Sequence, residues 1–142
     1  MKAGDGGFHL DPRLSADTHP VATLGLCELR LMDDANYPWL VLVPRVAGIR
    51  ELIDLEAGQR RQLADETDLA SRLLRQVFAP DKLNVAALGN MVAQLHVHVI
   101  ARFEQDPAWP APVWGRVEAR PYTPEILLKR ITLLREAMTP AR

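Results

Sequence analysis

The run Gln94-Leu95-His96-Val97-His98-Val99-Ile100-Ala101-Arg102 places two imidazoles one residue apart inside an otherwise apolar stretch. An extended chain points alternate side chains to opposite faces. Gln94, His96 and His98 therefore share one face, and Leu95, Val97 and Val99 share the other. The apolar face belongs to a core, and the polar row, stepping about 6.5–7 Å per pair, is suited to line a cleft. Three chemistries fit that spacing. The two histidines can be ordinary surface residues of a half-exposed strand. They can be two ligands of a metal, which needs a further His, Cys or carboxylate beside them; His9 and His19 lie far away in the sequence. Or one neutral imidazole can attack an electrophile, with its second ring nitrogen donating a hydrogen bond that sets the tautomer, while its neighbour steadies an anion or a leaving group.

The flanking chain supplies elements able to hold such a row. Cys27 to Met32 alternates around Leu29 and Leu31 and reads as a strand, Asp33 to Pro38 as a turn, and Trp39 to Pro44 as a strand covered on both faces. The short turn makes the two strands an antiparallel hairpin. A helical turn is expected in the segment before Leu55, then a long helix over Glu56 to Ala79 with Leu63, Thr67, Ala70, Leu74 and Val77 on one face, capped by Asp54 and ended by Pro80. Lys82 to Leu88 is a third strand and Gln94 to Phe103 a fourth. Glu104 to Gly115 carries three prolines and two tryptophans and is irregular. Thr123 and Pro124 start a terminal helix with an Ile126, Ile131, Leu134, Met138 stripe. Strands, a long helix, strands and a helix predict an α+β fold, mainly antiparallel. Residues 1–142 are expected to form one domain, with 1–7 a loose tail.

The bulk properties narrow the function classes. The net charge of -1 argues against a nucleic-acid or membrane partner, and any bound anion must be held by local geometry. One cysteine, Cys27, leaves no disulfide framework and no multi-cysteine zinc site, and makes a reduced, cytoplasmic setting the expectation. No apolar run approaches the ~20 residues of a membrane span.

The run from Gln94 to Ile100 resembles the histidine-triad signature His-φ-His-φ-His-φ-φ of the HIT superfamily, where φ is apolar. The resemblance extends to Tyr37–Arg45, to Leu83–Val99 with its Asn84 and Gly turn, and to the Trp–Pro segment Asp106–Gly115. It implies a HIT-like fold, usually paired into a homodimer. It also implies hydrolysis or transfer of nucleoside monophosphates, with substrates such as dinucleoside polyphosphates or nucleoside phosphoramidates. In that family the middle histidine, here His96, attacks the α-phosphorus, and the third, here His98, contacts phosphate or leaving group. The backbone carbonyl of the first position, here Gln94, accepts the Nδ1–H of the nucleophile. Asn84 is the implied nucleotide contact on the strand before the Gly turn. Gly89, Asn90, Asn36 and Trp109 are further candidates, each with a structural alternative: turn chemistry for Gly89 and Asn36, an outward-facing turn for Asn90, and a core cap or dimer edge for Trp109. No metal or cofactor is expected, magnesium apart as an aid to polyphosphate substrates.

The chain departs from the family pattern at three places. Gln94 replaces the first histidine, and Ala47 stands where many members carry another histidine close to it, so an imidazole pair is replaced together. Met91 stands where a Ser or Thr commonly touches phosphate. A non-catalytic nucleotide-binding protein is the alternative that these departures keep open. Arg45 and Arg102 are expected as exposed arginines at strand ends.

Overall fold

The structure, a computed structural model, describes residues 7–139. The loose stretch expected over 1–7 lies, Gly7 apart, outside the described residues. Helix α1 (Pro12–Asp17) leads into strands β1 (Thr18–Thr23), β2 (Cys27–Met32) and β3 (Trp39–Pro44). A 3-10 turn at Leu52–Asp54 precedes helix α2 (Ala57–Phe78), strands β4 (Lys82–Ala86) and β5 (Val97–Arg102), and helix α3 (Pro124–Met138). The strands form one antiparallel sheet in the order β1-β2-β3-β5-β4, which is the α+β architecture expected, with the long helix and the C-terminal helix in place. No helix among the described residues is long and apolar enough to cross a membrane.

The two faces of the sheet are covered differently. Leu29, Leu31, Leu40, Leu42, Val97 and Val99 point to the face packed by α2 and α3, where Leu63, Ala70, Leu73, Leu74 and Leu134 close the larger core. The opposite face carries Trp39, Val41, Val43 and Ile100, and the chain's own flanks cover it: Leu14 of α1, Phe8 and Leu10 ahead of it, and Ala108 and Val113 from the proline-rich segment. A strand buried on both faces reads as a continuous apolar run, which is why β3 is so uniform.

Glu66, on the buried side of α2, stitches this helix to the sheet. Its carboxylate accepts from the amides of Leu26 and Cys27, each at 2.8 Å, and from Gln62 Nε2 at 2.6 Å. The β1–β2 turn is thereby satisfied from the helix, a role its charge conceals in a periodicity count. Cys27 is buried beside it, and burial, with Glu66 adding, pushes its thiol well above the ordinary range, so the thiolate is suppressed.

Several boundaries differ from the sequence expectation for identifiable reasons. Asp54 caps the 3-10 turn by a reciprocal capping box with Glu51, and α2 is capped instead by Glu56 with Gln59. β5 begins at Val97 rather than Gln94. The register pairing Leu42 with Val97 would set Leu95 opposite Pro44, which has no N–H, and Leu95 N donates to Ile49 O at 2.9 Å instead. In α3, Leu127 rather than Ile126 faces the core, and Ile126 is exposed. Arg102 is not an exposed strand end: it is 1% exposed and ion-paired to Asp106. β1 and α1 have weak signatures, a proline-bearing edge strand and a six-residue helix.

Glu66→Ala should destabilise the protein by about 3 kcal/mol, since it strands two amides that the fold partly or fully buries. Glu66→Gln, which keeps one acceptor, should cost less. Urea unfolding of the two variants checks the order.

Candidate functional site

His96 lies on the short approach to β5, and His98 inside that strand. His96 and His98 are 7% and 4% exposed, so neither is an ordinary surface histidine. Their rings meet edge to face with centroids 4.8 Å apart. Trp114 stands 5.1 Å from the His98 ring and 5.6 Å from that of Trp39, and Trp39 is 5.6 Å from His98. The row that was expected to face a polar cleft is thus walled by aromatic rings over His98 and open only around His96.

Hydrogen bonds assign the two rings different states. His96 Nδ1 lies 2.7 Å from the carbonyl oxygen of Gln94. A carbonyl only accepts, so Nδ1 carries a proton, and the neutral form of the ring has its lone pair on Nε2. His98 Nδ1 lies 3.0 Å from Trp39 Nε1. An indole N–H only donates, so His98 Nδ1 is the acceptor and its proton sits on Nε2. Burial, with the neighbouring His96 adding, lowers the His98 pKa from 6.5 to about 4. His98 is therefore a neutral hydrogen-bond donor at physiological pH.

A cleft of about 320 Å³ opens beside His96, lined among others by Arg50, Glu51, Leu52, Leu88 and Gly89. Gly89 adopts φ +73°, a left-handed conformation that lets the backbone turn close to the cleft. The structure thus brings Gly89 to His96. It places Asn84 on the histidine face of β4, opposite Ile100, with its Oδ1 accepting from Arg102 Nη1 at 2.7 Å. Asn90 is exposed at the β4–β5 turn, and Met91 beside it is 78% exposed. Asn36 does not line the cleft, and its Nδ2 donates to the Glu118 carbonyl at 3.0 Å. Trp109 packs over the Arg102 guanidinium, 5.7 Å from its ring centre, while Trp114 is the tryptophan against the histidines.

Arg102 explains that exchange of tryptophans. It donates to both Asp106 oxygens and to the Ala111 carbonyl, while Asp106 accepts from the amides of Phe103, Ala108 and Trp109. Burial raises the Asp106 pKa, but the Arg102 bond and these amides outweigh it and hold the carboxyl below its ordinary value. This knot fixes the segment after β5 and carries Trp114 back over His98. Sequence reasoning missed Trp39, Arg50 and Glu51, and chose Trp109 where Trp114 is the tryptophan at the histidines. Only Trp39 left a usable sign, since alternation along β3 sets it on one face with Val41, the residue paired to His98.

Among the described residues, no group of three or more His, Cys, Asp or Glu side chains is arranged to hold a metal ion.

Comparison with known proteins adds the following. The HIT domain family profile matches residues 13–105. The chain is similar to a histidine triad protein of Sinorhizobium meliloti 1021, at 46% identity and TM-score 0.91, covering 94% of this chain and 98% of that one. It is similar to a histidine triad protein of Bradyrhizobium japonicum, at 45% identity and TM-score 0.89, covering 91% and 96%. A histidine triad protein of Marinobacter aquaeolei VT8 matches at 46% identity and TM-score 0.88, covering 93% and 98%. Among curated proteins no match was found.

The state of His98 has a measurable consequence. Its folded pKa of about 4 lies below the unfolded value near 6.5, so protons bind the unfolded chain more readily. The associated stability is fully present above pH ~6.5 and is lost as pH falls toward 4, by roughly 3 kcal/mol in all. Histidine ¹⁵N NMR should find His98 neutral with Nε2 protonated down to about pH 4. Trp39→Phe, which removes the donor to Nδ1, should raise that midpoint and admit the second tautomer. A wild-type midpoint near 6.5 would contradict this assignment.

Proposed function

The chain belongs to the HIT domain family, and from that premise we propose that it is a single-domain, nucleotide-binding hydrolase or nucleotidyl transferase acting at the α-phosphate through His96. The observation that carries the proposal is the 2.7 Å contact between His96 Nδ1 and the Gln94 carbonyl, which leaves Nε2 as a nucleophile beside an open cleft. Dinucleoside polyphosphates and nucleoside phosphoramidates are the substrate classes in view.

In the proposed reaction, His96 Nε2 forms a bond to the α-phosphorus while the bond to the leaving group breaks. The leaving group departs with the electron pair, as a phosphate anion or, from a phosphoramidate, as an amine that takes a proton from solvent. The nucleotidyl-imidazole carries a positive charge, shared with the Nδ1–H that the Gln94 carbonyl accepts. A neutral His98 suits this step. An imidazolium with its ring centre 4.8 Å from the His96 ring would repel the charged intermediate, whereas the Nε2–H of a neutral ring can donate to a phosphoryl oxygen as charge builds on it. Water then attacks phosphorus and gives a proton to solvent, the P–N bond breaks with its electron pair returning to Nε2, and the neutral imidazole is restored with release of a nucleoside monophosphate. Arg50, on the cleft wall, supplies positive charge for the polyphosphate.

A second reading, binding without turnover, is favoured by Met91, which offers no hydrogen bond where a hydroxyl would touch phosphate. We also propose a homodimer. β4 is a sheet edge, and beside it an apolar hollow of about 480 Å³ is lined by Leu52, Leu63, Val85 and Val97, with Val85 54% exposed. A second copy laid along this edge would pair its strand and cover that surface.

Single-turnover kinetics with substrate labelled at the α-phosphate should yield an acid-labile, base-stable protein adduct. His96→Ala should abolish turnover, and His98→Ala should slow it by on the order of 10²–10³, the effect of losing one donor to a developing oxyanion. Turnover without an adduct, or an active His96→Ala variant, would overturn the mechanism; nucleotide binding without turnover would select the second reading. A zinc chelator should leave the rate unchanged, and a loss restored by zinc would refute the metal-free scheme.

A further inference from the structure

Both polar atoms of the Gln94 side chain are engaged, and not toward the cleft. Its Oε1 accepts from the backbone N–H of Asp11 at 2.8 Å, and its Nε2 donates to the backbone carbonyl of His9 at 2.8 Å. A carbonyl at one residue and an N–H two residues later are the pair that a residue of a parallel strand would bridge. The primary amide reproduces that bridge with a side chain, presenting an acceptor and a donor side by side at one end. An imidazole carries its donor and acceptor on diverging edges of a ring and cannot reach both atoms in this way. The chemistry of a glutamine, rather than the mere loss of a histidine, matches what stands at position 94.

The strap so held is built into the covered face of the sheet. Phe8 and Leu10 pack against the cluster containing Trp39, Val41 and Ile100, and Leu14 is buried in it. Asp11 caps α1 by accepting from Arg13 N at 2.8 Å and donates its own N–H to Gln94. On the other side of residue 94, Leu95 N is bonded to Ile49 O, so residues 94 and 95 hang between the strap and the loop after β3. β5 has not yet begun there, so the peptide unit that carries the Gln94 carbonyl is held from one side by the Leu95 N–Ile49 O bond and from the other by the Gln94 side chain on the strap, rather than by a sheet ladder.

We propose that Gln94 is a positioning residue: its amide clamps the His9–Asp11 strap and thereby aims the carbonyl that holds His96 in its Nδ1–H tautomer. The N-terminal strap is then a working part of the site, although it presents no group to the cleft. The consequence for catalysis rests on the nucleophile reading of His96; the clamp and its effect on the ring do not.

The test compares wild type, Gln94→Met, which keeps length and loses both bonds, and Gln94→Glu, which keeps the acceptor for Asp11 N. Three measurements are made on each. Amide hydrogen exchange reads the strap, ¹⁵N NMR reads the His96 ring, and single-turnover adduct formation reads the chemistry. In Gln94→Met, exchange at Asp11 should rise by about tenfold or more, with α2 amides unchanged as the control on global folding. The His96 ring should show mixed tautomers. Adduct formation should slow by roughly ten- to a hundredfold while nucleotide affinity stays within about twofold, the pattern of a misaimed group rather than a lost contact. Gln94→Glu should fall between. A loosened strap with an unaltered His96 tautomer would overturn the proposal, as would an Asp11 amide that exchanges at the wild-type rate in Gln94→Met. If wild type forms no adduct, the nucleophile reading fails, and the clamp is still decided by the exchange and ring measurements.

Discussion

The 2.7 Å contact between the Gln94 carbonyl and His96 Nδ1 is the constraint from which the site follows. A neutral imidazole has one lone pair to offer, and a partner at the other nitrogen decides where it is. Any residue carries a backbone carbonyl, so a triad can lose its first imidazole without losing this bond. What the position does demand is that the carbonyl be held still. Inside a ladder its neighbours would see to that. Residue 94 lies before β5 starts, so the task passes to the Leu95 N–Ile49 O bond in the same peptide unit and to the amide of the residue's own side chain.

The same strand prepares two chemically identical side chains for different states. His96 faces a cleft and a carbonyl acceptor. His98, two residues on, faces an indole donor and two tryptophan rings. Donor-only and acceptor-only partners are the cheapest way to distinguish two imidazoles, because each leaves a single tautomer without a bad contact. Burial acts in the same direction. Two cationic rings this close would repel in a poorly solvated space, and holding His98 neutral leaves room for positive charge on His96 alone.

The parts legible in the sequence are those written in local periodicity. The alternation of β2, the unbroken apolar run of β3, the facing residues of α2 and the histidine spacing each record a short-range pattern, and the sheet with its long helix followed from them. The parts that stayed hidden depend on contacts that follow no local period. Asp106 stands only four residues after Arg102, but the chain between them leaves the strand and follows no period that would pair them, and the Ala111 carbonyl joins from nine residues on. Nothing near Trp114 indicates that this knot will swing it onto His98 while Trp109 remains over the guanidinium. Asn36 had the composition of a ligand contact, and a carbonyl 82 positions away takes its amide. The β5 start was misread for a local reason that could have been seen, since Pro44 cannot donate to a ladder.

A sheet with one face under two helices and the other under loose chain is asymmetric in a useful way. The helical face is covered by the regular packing of α2 and α3, apart from the hollow beside the β4 edge. The other is closed by pieces, the strap with α1 from one end and the proline-rich segment from the other. An irregular cover must be pinned piece by piece, because it has no ladder of its own. Asp106 pins one piece by accepting three amides, and Gln94 pins the other by matching a carbonyl and an amide. Both pins stand at the ends of β5, one beyond each histidine. The strand that carries the imidazoles therefore also carries the anchors of everything laid over them, and a change in either cover is felt first at the two rings.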